Sequence, residues 1–289
     1  MPTNNATVFN AAGPSIGSST VTVTIPISEQ RDWYHAITEG DVTGYSVIHK
    51  FGRNNSVGTT LEPVCWGGIY RTPQVAGATT LRIKAGGNAN DDAAGTGARE
   101  VTLQGIDANG DVVTEAVATA GASASSATTA SFIRLFRAYV SAVGSYATTA
   151  AGSHSADIVI EDSGGTQDWL TISTDSTGSA FPRGQSTSGC YTIPSGYNAY
   201  LKSVLVHVDS GKSVNLVMFQ RTGVLQTSAP YDACRAIIDE TGVQDNFTLK
   251  PDTPIGPFTG PCDIGLMAAV TTGSADVSVD FELILESTA

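Results

Sequence analysis

Val277-Ser278-Val279-Asp280-Phe281-Glu282-Leu283-Ile284-Leu285 alternates apolar and polar side chains almost without fault. Successive side chains of a strand point to opposite faces, so this segment reads as a strand with one buried side. Val21-Thr22-Val23-Thr24-Ile25-Pro26-Ile27 repeats the pattern near the other end, with Val21, Val23, Ile25 and Ile27 on one face and threonines opposite. Shorter copies stand at Leu81/Ile83, Val101/Leu103, Ile158/Ile160, Val204/Val206/Val208 and Val214/Leu216/Met218. Thr and Val suit a pleated, half-buried surface, so composition and period agree. The reading is an all-β chain.

Turn chemistry punctuates these strands. Asp107-Ala108-Asn109-Gly110-Asp111 separates two alternating runs and predicts a hairpin, because Asn-Gly supplies positive φ. Its likeness to the start of a calcium loop fails at the sixth and twelfth positions, which hold Val112 and Ala118 instead of Gly and Glu. Pro194-Ser195-Gly196 predicts a second strand–turn–strand. Helical patterns are few: residues 29–39, with Ser28 as cap and Gly40 as stop, and a weaker one over 233–241. Ser131 to Val140 fits helical and strand periods alike, and the strand is preferred.

Two stretches break the pattern. Residues 118–130 are almost pure Ala, Ser, Thr and Gly and read as an exposed loop; residues 173–189 are Ser/Thr/Gly-rich and read as a linker. The expected organisation is therefore an extended N-terminal arm (1–45), an N-terminal β-domain (46–172), a linker (173–189) and a C-terminal β-sandwich (190–289). Two antiparallel β-sandwich or jelly-roll-like domains follow from this. No period of 20 to 50 residues recurs, which argues against a solenoid or a propeller.

The 289 residues carry 27 acids against 15 bases, a formal charge of −12, and only 15% are charged. A nucleic-acid partner needs a basic stripe, and an anionic membrane needs a basic surface, so neither partner is expected. Met1-Pro2-Thr3-Asn4-Asn5 has no basic or apolar signal region, so folding in a cytosol is expected. Cys65, Cys190, Cys234 and Cys262 contain no C-x-x-C pair and read as small buried thiols in preference to zinc ligands or a disulfide framework. Gly95-Thr96-Gly97 leads into a strand rather than a helix, and no serine sits in a G-x-S-x-G turn. The four histidines never share i, i+2 or i+4 spacing. No metal, cofactor or enzymatic activity is expected.

The most distinctive block runs from Gly44 through His49-Lys50-Phe51-Gly52-Arg53-Asn54 to Glu62-Pro63-Val64-Cys65-Trp66-Gly67-Gly68-Ile69-Tyr70. Its aromatic, glycine and basic residues fit a partner interface, or equally a domain core with a tight Gly-Gly turn. Lys50, Phe51, Arg53, Trp66 and Tyr70, together with Val21, Val23, Ile25 and Ile27, are the candidate interface residues.

This block resembles a family of tailed-bacteriophage virion structural proteins of the marine-phage type. The resemblance continues through Ala94 to Arg99, Gln104 to Asp107, Phe132-Ile133-Arg134 and Arg137. It resumes at Tyr191-Thr192-Ile193-Pro194-Ser195-Gly196 and the closing Val277 to Leu285 strand. It covers most of the chain beyond about residue 40. Where the family has an apolar stretch before its Tyr-Thr-Ile-Pro motif, this chain has Gln185-Ser186-Thr187-Ser188-Gly189. The resemblance implies a place in the phage particle, assembled in the bacterial cytoplasm. The role expected is a decoration (cement) protein, a homotrimer on the capsid surface that binds the major capsid protein. The alternative is a tail, neck or head fibre contacting the host, for which Tyr191, Tyr197 and Tyr200 would be the aromatic offering.

Overall fold

A computed structural model describes residues 4–7, 22–25, 32–71, 77–145, 152–174 and 183–288. The chain divides into two units, Met1–Ser46 and Val47–Ala289.

In the first unit β1 (Asn4–Thr7) and β2 (Thr22–Ile25) form an antiparallel ribbon in which Asn4 faces Ile25 and Thr7 faces Thr22. A short helix, α1 (Trp33–Thr38), follows. Asp32 caps it by accepting from Tyr34 N at 3.4 Å, and Gly40, at φ +81°, turns the chain away. The helix expected over 29–39 is thus shorter, with a different cap; Ser28 lies outside the described residues. An Asx side chain next to the first turn captures a free helix amide, which sets that start.

β3 (Tyr45–Val57) starts at the end of the first unit and runs on in the second, which also holds β4 (Glu62–Pro63), β5 (Leu81–Ile83), β6 (Ala98–Ile106), β7 (Val112–Ala118) and β8 (Arg134–Val143). Then come β9 (Ile158–Asp162), β10 (Asp168–Ile172), β11 (Cys190–Ile193), β12 (Tyr197–Val208) and β13 (Val214–Arg221). The chain ends through β14 (Cys234–Val243), β15 (Asn246–Leu249), β16 (Ile255–Thr259), β17 (Cys262–Val270) and β18 (Ala275–Ser287).

The all-β expectation holds. The two jelly-roll sandwiches do not: these strands make four small sheets laid out as the blades of a four-bladed β-propeller. Two sheets are three-stranded, β10–β9–β5 and β7–β6–β8. Two are five-stranded, β11–β17–β13–β14 with β4 also on β17, and β15–β12–β18–β3 with β16 also on β12. The expectation failed because it grouped strands by nearness in sequence. β17 inserts between β11 and β13, and β18 separates β12 from β3, which lies more than two hundred residues upstream. The argument against a propeller failed for the same reason. A repeat is visible only when each blade is one contiguous copy, and these blades are unequal and interleaved.

Period two did identify the buried faces. Val277, Val279, Phe281, Leu283 and Leu285 are each at most 4% exposed and share one core with Leu201, Val204, Val206, Leu216, Met218, Ile264 and Leu266. A second core joins the three-stranded sheets through Leu81, Leu103, Phe132, Ile160, Trp169 and Ile172. The Asp107 hairpin forms as predicted, with Ile106 opposite Val112 and Gly110 at φ +83°. Asp107 Oδ1 accepts from Asn109 N at 2.8 Å and Asp111 N at 3.0 Å, so its carboxylate holds the turn.

Local composition misled at two further places. The 233–241 pattern is strand β14, where pairing along β13 outweighs a weak helical preference. Residues 118–130 are not merely an exposed loop. Thr119, Ser125 and Thr128 are buried, and the Ser125 and Thr128 hydroxyls accept from Ile83 N (2.8 Å) and Leu81 N (2.9 Å). Hydroxyls here satisfy amides on the edge of β5 that would otherwise be stranded.

Candidate functional site

The distinctive block lies on β3 and the segment after it, and most of its polar groups are turned inward. Lys50 is buried, and its Nζ donates to Phe136 O at 2.7 Å. Burial pulls its pKa down to about 8, against a smaller upward pull from Cys65 and Cys190. Arg53 forks onto Asp276, with Nε 2.9 Å from both carboxylate oxygens and Nη2 bonded to Oδ2. Asn54 donates to Pro63 O at 3.2 Å and accepts from Ser56 N at 3.0 Å, which shapes the bend between β3 and β4.

The Gly-Gly turn is present: Gly67 and Gly68 stand at φ +68° and +67°, and Gly68 N donates to Cys65 O at 2.9 Å. It leaves Trp66 half-buried, with its amide donating to Thr187 O at 3.0 Å. Tyr70 packs its ring 5.3 Å from Phe219 and donates its hydroxyl to Asp263 Oδ2 at 2.6 Å. Burial and the neighbouring Asp263 charge hold the Tyr70 phenol well above its usual range.

Asp263 is the hub that the sequence reading missed. It is 1% exposed and also accepts from Arg134 Nε (2.9 Å) and Thr192 Oγ1 (2.7 Å). One carboxylate thereby ties β17, β11 and β8 to the segment after the Gly-Gly turn. The available signal was Cys262-Asp263-Ile264, an acid in an otherwise apolar strand. Asp91 is a second buried knot, accepting from Ala98 N, Ser155 N and Ala156 N at 2.9–3.1 Å.

Lys50, Arg53 and Tyr70 thus lie in internal hydrogen bonds, whereas Phe51 and Trp66 are half-buried. Phe51 lines two open clefts. One, of about 520 Å³, is shared with His49, Gln104, Val112, Phe136 and Arg137; the other, of about 450 Å³, with His207, Asp209, Asp276 and Asp280. Val112 is 55% exposed, so the first cleft has an apolar rim. Val23 and Ile25 lie on β2, while Val21 and Ile27 fall outside the described residues. Among the described residues no three His, Cys, Asp or Glu side chains are grouped to hold a metal.

The four cysteines are free thiols. Cys65, Cys190 and Cys262 are buried as expected, and Cys234 is exposed on β14. The Cys65 and Cys190 sulfurs lie 3.7 Å apart beneath Lys50. Their hydrogen bond lowers the Cys65 pKa and raises that of Cys190.

No protein-family model and no curated protein matches this chain. Two solved structures are weakly similar, both from infectious bursal disease virus. One is the Gx strain structure, at 10% identity, TM-score 0.20, covering 84% of this chain and 72% of that one. The other is the VP2 subviral particle, at 10% identity, TM-score 0.18, covering 85% and 77%. At these scores neither likeness establishes a shared fold.

Proposed function

We propose that this protein is a virion structural protein of a tailed phage, decorating the outer shell of the head through its N-terminal ribbon. The observation that carries the proposal is the β1–β2 pair. Its two strands pair with each other and with no other described strand, as a two-stranded ribbon with two outer edges. A two-stranded ribbon is marginal alone and gains backbone hydrogen bonds by extending a neighbour's sheet. The resemblance of residues 49–70 and 191–196 to phage virion proteins supports the same place. So does the acidic surplus, which keeps an unassembled subunit soluble. Binding the mature shell and not its precursor stabilises the shell by linkage.

The aromatic offering for a fibre is weak as a contact surface. Tyr191 is buried, and Tyr200 is half-buried with its hydroxyl on Glu286 at 2.8 Å.

Quantitative gel analysis of purified particles tests the place, with hundreds of copies expected; a handful would transfer the protein to a tail or neck. Removing residues 1–27 should abolish shell binding while leaving the melting curve of the free protein unchanged. Particles stripped of the protein should lose heat and osmotic resistance. Unchanged resistance would refute the cementing role.

A further inference from the structure

Three buried nitrogen donors, Arg71 Nε, Arg134 Nη2 and Trp169 Nε1, have no hydrogen-bond partner among the described residues. Their side chains are 7%, 3% and 3% exposed. All three residues line one small cavity of about 20 Å³, between the turn at Ile69–Arg71, strands β8 and β10, and strand β11. A buried donor left without a hydrogen bond is costly, so three on residues around one space call for an occupant.

The lining identifies its chemistry. The Tyr70 and Thr192 hydroxyls already donate to Asp263, and Ser188 Oγ lies 3.3 Å from Cys65 Sγ. Ile133 O takes Arg134 Nη1 at 3.1 Å and Arg71 Nη1 at 3.5 Å. The unpartnered side-chain atoms of the lining residues are all donors. Charge points the same way. Arg71 and Arg134 bring two guanidinium groups, and Asp263, bonded to Arg134, brings one carboxylate. Arg71 stacks 3.8 Å over the Trp169 ring, and the Asp162 carboxylate also acts on it. Burial, and after it the Arg134 charge, lower its pKa to about 10 against an upward pull from Asp162.

We propose that this cavity binds a single chloride ion, held by the Arg71, Arg134 and Trp169 N–H groups. A volume of about 20 Å³ admits one water-sized occupant, too little for sulfate or phosphate. A water oxygen has two lone pairs and can accept from only two of the three N–H groups, whereas a halide accepts from all three. The inference does not depend on where in a particle the protein works.

Crystals of the full chain soaked in sodium bromide should show an anomalous peak in the cavity. The melting temperature should rise by about 2–8 °C from low millimolar to several hundred millimolar sodium chloride, and not in sodium gluconate of equal ionic strength. Arg71→Met removes one guanidinium and one donor, and should abolish the chloride-specific rise. Should that variant not fold, Trp169→Phe deletes one donor, keeps a ring, and should shrink the rise. A cavity without a bromide peak, or an equal rise in gluconate, would overturn the proposal.

Discussion

Arg134 Nε stands 2.9 Å from Asp263 Oδ2, with the two side chains 3% and 1% exposed, so β8 and β17 meet through an ion pair closed to solvent. Removing one partner of such a pair strands the other charge and costs about 3–5 kcal/mol. Asp263→Asn should lower urea-unfolding stability by that amount, since Tyr70 and Thr192 lose a charged acceptor as well. Replacing both charges by apolar residues of similar volume should cost less than Asp263→Asn alone. A loss below about 1 kcal/mol for the single substitution would show the pair to be solvated.

Lys50 makes stability depend on pH with a definite sign. Its pKa is about 8 in the fold and 10.5 when free, so between these values the unfolded chain holds the extra proton. Stability therefore rises with pH across this window as the unfolded chain gives its proton up, and below about pH 8 the burial penalty is present in full. Cysteines and Tyr70 titrate nearby, so the comparison must be with Lys50→Met. From about pH 8 to 10.5 wild type should gain about 3 kcal/mol on that variant in parallel urea titrations. A constant difference would mean that Lys50 keeps its ordinary pKa.

Gly52 on β3 has backbone on the side where a Cβ would stand, and an alanine methyl there would overlap Gly189 N and Val64 O. These atoms belong to a bonded array in which Gly189 N donates to Val64 O at 2.9 Å. Gly52→Ala should therefore part the strands and lower the melting temperature by several degrees. Gly58→Ala, whose Cβ meets only the flexible Glu62 side chain, should change it far less. Calorimetry of the two variants side by side checks the contrast.

Thiol accessibility follows burial. Under native conditions Ellman's reagent should titrate Cys234 and leave Cys65, Cys190 and Cys262 unreacted until the protein unfolds, when four equivalents should appear. Burial raises the Cys234 pKa, so its reaction should accelerate at alkaline pH. Fast native labelling of a second thiol would place Cys65 or Cys190 at an open surface.

The candidate residues divide by how far their partners lie along the chain. The Gly67-Gly68 turn was legible because it bonds to nearby Cys65. Arg53 and Tyr70 were legible only as distinctive types. Their partners Asp276 and Asp263 are separated from them by 223 and 193 positions. The Ser/Thr-rich stretch is another such case. Ser186, Thr187 and Ser188 look like solvent-facing linker residues, yet they are buried, with Ser186 N on Ala138 O at 2.8 Å. Small hydroxyl residues are ambiguous because they suit water and a hydrogen-bonded interior equally.

Taken alone, the sequence determined that the chain is all-β, which faces of β12, β13 and β18 are buried, and where the Asp107 hairpin turns. Each of these depends on side-chain alternation or on φ preferences within a few residues. The tertiary structure alone decided that β3 lies beside β18, that β17 enters between β11 and β13, and that the strands form four blades rather than two sandwiches. It also gathered Arg71, Arg134 and Trp169 around one cavity. Backbone hydrogen bonds in a sheet are the same whichever strands make them, so periodicity marks a strand's buried face without naming its neighbour.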